Sequence, residues 1–283
     1  MSNQVTREKT LRANIEVHSK LANAGEYQKS PHFNAENIEK VKGLLQRALR
    51  NVPPASEAKA IDFGCGTGFI IDLIRDRFSE VHGVDITTDM MKHVDISSGN
   101  VFLHETIAEN TPFESDTFDF ATAYSFMDHL VDYKLFLREA FRVLKPGGTF
   151  FSDLNPNREF IMSMDLAEKS PIPVTSTLVL REIQGALHNG DYYAQHFDID
   201  AESLESAEPI KSVDKGFLTD EVYATAREIG FSDCTIEYEW YLGQGKVMHE
   251  ESKQKADEID CYLNSIAPAS SPLFKYLRFV FVK

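Results

Sequence analysis

Apolar positions in the first fifth of the chain recur at helical spacing, and beyond residue 60 short unbroken apolar runs alternate with amphipathic stripes. Residues 5–25 and 34–50 have helical character. In the second segment Ile38, Val41, Leu45 and Leu49 share one face, with Leu44 and Ala48 beside them. Pro53-Pro54-Ala55-Ser56 breaks it. The runs that follow predict strands at 60–64, 81–85, 101–104 and 118–123, with helices over about 68–77 and 88–94. Leu137, Ala140, Phe141 and Leu144 then form a helical stripe that Pro146-Gly147-Gly148 stops, and Thr149–Asp153 reads as a fifth strand. A further helix is expected from Thr219 or Asp220, as N-cap, to Gly230, and strands from Phe231 to about Tyr241 and over Tyr276–Val282. Strands alternating with helices build a mostly parallel, doubly wound α/β sheet.

The connection after the first of these strands carries the densest chemistry. AIDFGCGTGF, from Ala60 to Phe69, sets Gly64, Gly66 and Gly68 in the turn from strand to helix. Without Cβ atoms these positions accept positive φ and let a ligand lie against the backbone. The second strand, Val81-His82-Gly83-Val84-Asp85, ends in an acid. At the tip of the strand next to the first turn, a carboxylate can accept hydrogen bonds from both ribose hydroxyls of an adenosine. A nicotinamide or flavin fingerprint, Gly-x-Gly-x-x-Gly, would need a third glycine where Phe69 stands.

Four motifs in order resemble class I S-adenosylmethionine-dependent methyltransferases, in particular the ubiquinone/menaquinone-biosynthesis type. They are the acid-x-Gly-x-Gly-x-Gly turn from Asp62, the acid Asp85, Phe118-Asp119 opening the fourth strand, and Leu144-Lys145-Pro146-Gly147-Gly148 before the fifth. The resemblance covers residues 56–155 closely and 216–241 loosely. It implies a seven-stranded, Rossmann-like sheet closed by an antiparallel last strand, with S-adenosylmethionine as cofactor. An N-terminal helical lid (1–55) would precede a methyltransferase domain (56–283) with cap insertions at about 156–215 and 243–272. The first insertion, holding Leu178-Val179-Leu180 and Tyr192–Phe197, is expected to bear strands; the second is polar, with a helix over about 250–264. By motif position, Asp62 would orient the methionine amino group, Gly64, Cys65, Gly66 and Gly68 would form the turn against the cofactor, and Asp85 would hold the ribose. Ile86 and Met90 would line the adenine slot and Tyr124 would pass over the methionine tail. Ile107 stands where the family often has an Asp that accepts from the adenine amino group, which leaves the amide of Ala108, apolar contact, and Glu105 as a substitute acceptor.

Composition narrows the partners. At 283 residues the chain can bury a full core, and its net charge of −15 with no basic run disfavours nucleic acid, so a small-molecule acceptor is expected. No stretch approaches the length of a membrane span, and the charged N-terminus MSNQVTREKT lacks a signal core, so a cytoplasmic protein without a membrane partner is expected, with a homodimer as an option. Cys65, Cys234 and Cys261 lack metal-site spacing, and the Cys65 thiol reads as a packing group.

Methyl transfer from a sulfonium requires chiefly that the acceptor atom be held in line and water kept out, with a base where a proton must leave. His129, after the fourth strand, reads either as that base or as a residue packed under the cap. Some quinone-biosynthesis methyltransferases bind a metal here through Glu-x-x-Glu-His; Ser125 and Asp128 replace the glutamates, and no metal is expected. Tyr27 is placed to touch the methionine carboxylate, and it joins His129 as a catalytic candidate. His18 and His32 read as packing or surface residues, while His188, Tyr192, Tyr193 and His196 are outside candidates for the acceptor pocket. Asn155-Pro156 reads as a strand-end turn. The expected activity is methylation of an oxygen or nitrogen of a small metabolite. A non-catalytic S-adenosylmethionine-binding regulator, and methylation of protein or RNA, stand as alternatives.

Overall fold

A computed structural model describes residues 2–27, 34–50, 52–53 and 56–283; His32, and Pro54-Ala55 of the expected helix break, lie outside the described residues. Helices α1 (Ser2–Asn23) and α2 (Ala35–Ala48) come first. The alternating region holds β1 (Lys59–Phe63), α3 (Phe69–Ile74), β2 (Glu80–Asp85), α4 (Thr88–Met91), β3 (Val101–Glu105), β4 (Phe118–Tyr124), α5 (Tyr133–Val143) and β5 (Leu144–Pro156). Helices α6 (Arg158–Glu168), α7 (Thr177–Leu187), α8 (Asn189–Phe197), α9 (Ala201–Ala207) and α10 (Pro209–Ser212) follow, and α11 (Thr219–Ile229), β6 (Asp233–Tyr241), α12 (Gln244–Glu250), α13 (Lys253–Ser265) and β7 (Phe274–Val282) complete the chain.

The seven strands form one sheet in the order β3-β2-β1-β4-β5-β7-β6, parallel except for β7, which runs antiparallel to both neighbours. The fold is therefore a doubly wound α/β sheet of the Rossmann-like kind. Chain order reverses between β1 and β4, and a crevice opens there at the carboxyl ends of the strands. Registers such as Asp62↔Gly83 and Asp62↔Thr122 bring the tips of β1, β2 and β4 level around it.

Each face of the sheet buries its own helices. Phe136, Leu137 and Ala140 of α5 pack with Val222 and Ala226 of α11 on one side, and Val41, Leu44 and Leu45 of α2 with Ile70, Ile71 and Ile74 of α3 on the other. The α5 stripe ends one residue earlier than expected: Leu144 opens β5, paired with Phe118, and lies fully buried. Helix α11 has Leu218, not Thr219 or Asp220, at its N-cap and no side-chain cap bond, while Gly230 ends it at φ 122° as expected.

The segment after β5 differs from the expectation of strands: α6 to α10 are all helical. Leu178-Val179-Leu180 lies in α7, where Val179, Ile183, Ala186 and Leu187 keep the three-and-four spacing of a buried stripe against Phe160 and Met164 of α6. Tyr193 and Phe197 of α8 sit one turn apart and pack on a cluster that joins Ala13, Val17 and Leu21 of α1 to Ile199, Leu204 and Ala207. This N-terminal helix thus packs on the helices after β5. Asn155-Pro156 is no turn either: both residues remain in β5, paired with Leu277 and Tyr276 of β7, and the Asn155 amide donates to the Leu277 carbonyl at 3.0 Å.

Candidate active site

The turn after β1 takes positive φ at Gly64 (65°), Gly66 (52°) and Gly68 (90°), which glycine adopts without cost. What fills the missing Cβ positions is the protein itself. A Cβ on Gly64 would lie 2.1 Å from the Phe126 ring, one on Gly66 3.1 Å from Met90 Cε, and one on Gly68 3.1 Å from Val94. Glycine at these positions is thus required by close packing of the chain on itself. Gly64 and Gly66 still present their backbone to a cavity of about 500 Å³, whereas Gly68 does not line it.

Asp85 closes the turn from the other side. Its Oδ2 accepts from the Gly66 amide at 2.9 Å and its Oδ1 from the Thr87 amide at 2.8 Å. A carboxylate has about four lone-pair directions; the two amides and the Thr87 hydroxyl use three, so a ligand in the cavity would take the fourth and compete with the hydroxyl for another. Burial pushes the Asp85 carboxyl up, and the two amides pull it back toward the charged form. Ile86, Met90, Ala108, Cys65 and Tyr124 share the wall with it, and Tyr124 stacks at a tilt on Phe69 with ring centroids 5.3 Å apart. The Cys65 thiol is buried and held well above its ordinary value by desolvation, which makes it a packing group. Ile107 is not on the wall, and the Glu105 carboxylate accepts from the Thr88 hydroxyl at 2.8 Å away from the cavity.

Asp62 stands beneath the cavity rather than on it. Its Oδ1 accepts from the Thr122 hydroxyl at 2.6 Å, and burial pushes its carboxyl up to about 7, with the nearby Asp85 adding to the rise. A folded-state value above the ordinary 3.8 means that the native protein holds this proton more tightly than the unfolded chain does. Its contribution to stability is full below about pH 4, falls as pH rises toward 7 and is then flat. The Asp62→Asn variant is expected to remove that fall. The gap in denaturant midpoint between variant and parent should widen in the variant's favour from pH 4 to 7; a gap that stays constant would show that Asp62 does not titrate there.

The roof combines two outside candidates, Tyr192 and Tyr193, with residues that the sequence reading did not single out. Arg7, Thr10 and Asn14 of α1 face the cavity, as do Tyr192 and Tyr193 of α8 and Glu208. Arg7 pairs with Glu109 at 3.2 Å beside Ala108, tying α1 to the wall next to β3. Tyr27 also lines the cavity, its hydroxyl bonded to Nδ1 of His18. Burial holds the Tyr27 phenol protonated and lowers His18 to about 3, so His18 is neutral and accepts from Tyr27. That geometry makes Tyr27 a donor and a wall rather than a base. His188 and His196 stand elsewhere, against Glu168 and the Tyr192 carbonyl respectively.

His129 lies at the far end of the cavity. Its Nδ1 is 3.0 Å from the carbonyl oxygen of Ala207, which can only accept, so Nδ1 carries a proton and the lone pair of the neutral ring is on Nε2. The Asn14 amide donates to the His129 carbonyl at 3.3 Å and the His18 ring meets the imidazole edge-on at 4.8 Å. Beyond His129 a second cavity of about 310 Å³ opens, sharing Ser125, His129, Tyr193 and Glu208 with the first. One ligand atom each from Asp128, His129 and Glu208 lie within 4.8 Å of one another, a grouping with the geometry to hold a cation. Glu208 comes from the α9–α10 junction, where sequence spacing relates it to nothing near His129.

Comparison with known proteins adds to this geometry. Residues 61–152 match the methyltransferase domain family model. A ubiquinone biosynthesis O-methyltransferase of Idiomarina loihiensis is 31% identical over 39% of this chain and 48% of its own length. A demethylmenaquinone methyltransferase of Staphylococcus saprophyticus is 33% identical over 47% and 59%. The chain therefore spans about half the length of the curated relatives it matches. Among solved structures, an S-adenosylmethionine-dependent methyltransferase from Archaeoglobus fulgidus superposes with a TM-score of 0.51 at 17% identity, over 87% of this chain and 94% of that one. Among the described residues no helix is long and apolar enough to cross a membrane. With the glycine turn, the strand-end acid and the sheet order, these matches show that residues 61–152 are similar to the methyltransferase domain family, on a fold shared with a solved S-adenosylmethionine-dependent methyltransferase.

Proposed function

We propose that the protein transfers the methyl group of S-adenosylmethionine to a nitrogen or oxygen of a small metabolite held in the second cavity. The observation that carries this reading is the meeting of two cavities at His129: one bounded by Gly64, Gly66 and Asp85, the other by Asp128, Lys211 and Tyr276. A cofactor whose ribose is held at Asp85 and whose methionine passes Gly64 would turn its sulfonium toward that junction. In-line displacement then needs an acceptor approaching from the second cavity, with α1 and the helices after β5 excluding water. His129 Nε2, fixed by the bond from Nδ1 to Ala207, would take the departing proton.

The size of the second cavity and the net charge of −15 favour a small molecule over nucleic acid. Incubation with S-adenosylmethionine and a protein-free metabolite extract should release S-adenosylhomocysteine. Cofactor binding without product would turn the reading toward a regulator that binds S-adenosylmethionine and transfers nothing.

A further inference from the structure

Among the described residues the second cavity contains five ionisable groups besides His129 and its tyrosines, and four of them are already matched. Lys211 Nζ lies 2.9 Å from Glu208 Oε2, and Lys275 is ion-paired with Glu182. Asp128 is left over. Its Oδ1 is sealed from solvent and has no hydrogen-bond partner among the described residues, and His129 Nε2 stands 3.9 Å away, beyond a hydrogen bond. A buried carboxylate in that condition is costly until a donor or a positive charge reaches it. Desolvation accordingly raises the Asp128 carboxyl, against the pull of His129 and Lys211.

We propose that the acceptor carries a protonated amine, that its ammonium is bound among Asp128, His129 and Glu208, and that this nitrogen receives the methyl group. The inference rests on the methyl-transfer reading above. Three groups within 4.8 Å of one another match the three N–H donors of a primary ammonium. A divalent metal ion fits less well, because Glu208 already accepts from the Lys211 ammonium at 2.9 Å and that charge repels a dication about twice as strongly as a singly charged ammonium.

The step balances with the groups present. One ammonium proton passes to His129 Nε2. The freed nitrogen lone pair forms the N–C bond as the methyl C–S bond breaks, and that bonding pair stays on sulfur, turning the sulfonium into a neutral thioether. The product leaves as a methylammonium, and His129 returns its proton to water. Asp128, 3.9 Å from Nε2, stabilises the imidazolium in between.

The test supplies S-adenosylmethionine labelled in its methyl group, with a protein-free metabolite extract, to the full-length protein and to Asp128→Asn, and separates labelled products by charge. The expected product is retained on a cation exchanger at neutral pH. Asp128→Asn, nearly isosteric, should form it at least about thirtyfold more slowly, while binding S-adenosylhomocysteine in calorimetry as the parent does. A neutral or anionic labelled product, an undiminished rate in the variant, or a rate that vanishes on chelation and returns with a divalent metal would each overturn the amine assignment while leaving methyl transfer standing. No labelled product of any charge, with cofactor bound, would overturn methyl transfer and the amine assignment with it.

Discussion

Replacing His129 by alanine is expected to slow turnover by about a hundredfold or more, the usual contribution of a positioned base, with little change in S-adenosylmethionine affinity. The separation of the two effects follows from position. His129 stands at the junction of the cavities, while Asp85, Ile86, Met90 and Ala108, the wall proposed for the adenosine, line the first cavity alone. Alanine also removes the bond from Nδ1 to the Ala207 carbonyl, which ties the β4 end to α9. His129→Asn separates the two roles, since an amide can still donate to that carbonyl and offers no base. Both variants should lose turnover alike, measured as S-adenosylhomocysteine released at saturating cofactor. Recovery of activity in the asparagine variant would assign His129 to holding the cap rather than to moving a proton.

Asp85→Ala should weaken S-adenosylmethionine binding by about 1.5–3 kcal/mol, the range for hydrogen bonds to a charged group. At 1.4 kcal/mol per decade this is roughly a ten- to hundredfold rise in Kd. Two causes add. The ribose would lose its acceptor, and the Gly66 and Thr87 amides would lose theirs, loosening the turn that the cofactor must lie against. Asp85→Asn discriminates between them: its carbamoyl oxygen can serve one amide but cannot serve both while accepting from a ligand. An intermediate affinity for asparagine is therefore expected in titration calorimetry, and an alanine variant with the parent's affinity would remove Asp85 from the site.

The meeting of Gly64, Gly66 and Asp85 at one cavity was legible in the sequence because these parts are local. Gly64 to Gly68 share one turn, and Asp85 ends the next strand, so strand periodicity alone puts them side by side. The reason for glycine at 64 was not legible: Phe126, which occupies its Cβ position, arrives from the far end of β4. Nor was the burial of Asp62 beneath the wall, which depends on Thr122 across the sheet.

The segment after β5, which lines the second cavity, was read poorly, and for a physical reason. Leu178-Val179-Leu180 looks like a strand over three residues, and only the continuation through Ile183 and Leu187 gives the helical stripe away. Once those segments are helices, the Ala207 carbonyl and Glu208 reach His129 across a long separation in sequence, and no local spacing announces that contact. Glu208 and Lys211, one turn apart, look like an ordinary surface pair until the fold sets them in a cavity beside Asp128.

The most direct test of the account is a crystal structure with S-adenosylhomocysteine bound. It should show both ribose hydroxyls donating to the Asp85 carboxylate, the adenine between Ile86, Met90 and Ala108, and the sulfur turned toward His129. The product bound elsewhere on the molecule, or lying with its ribose away from Asp85, would contradict it.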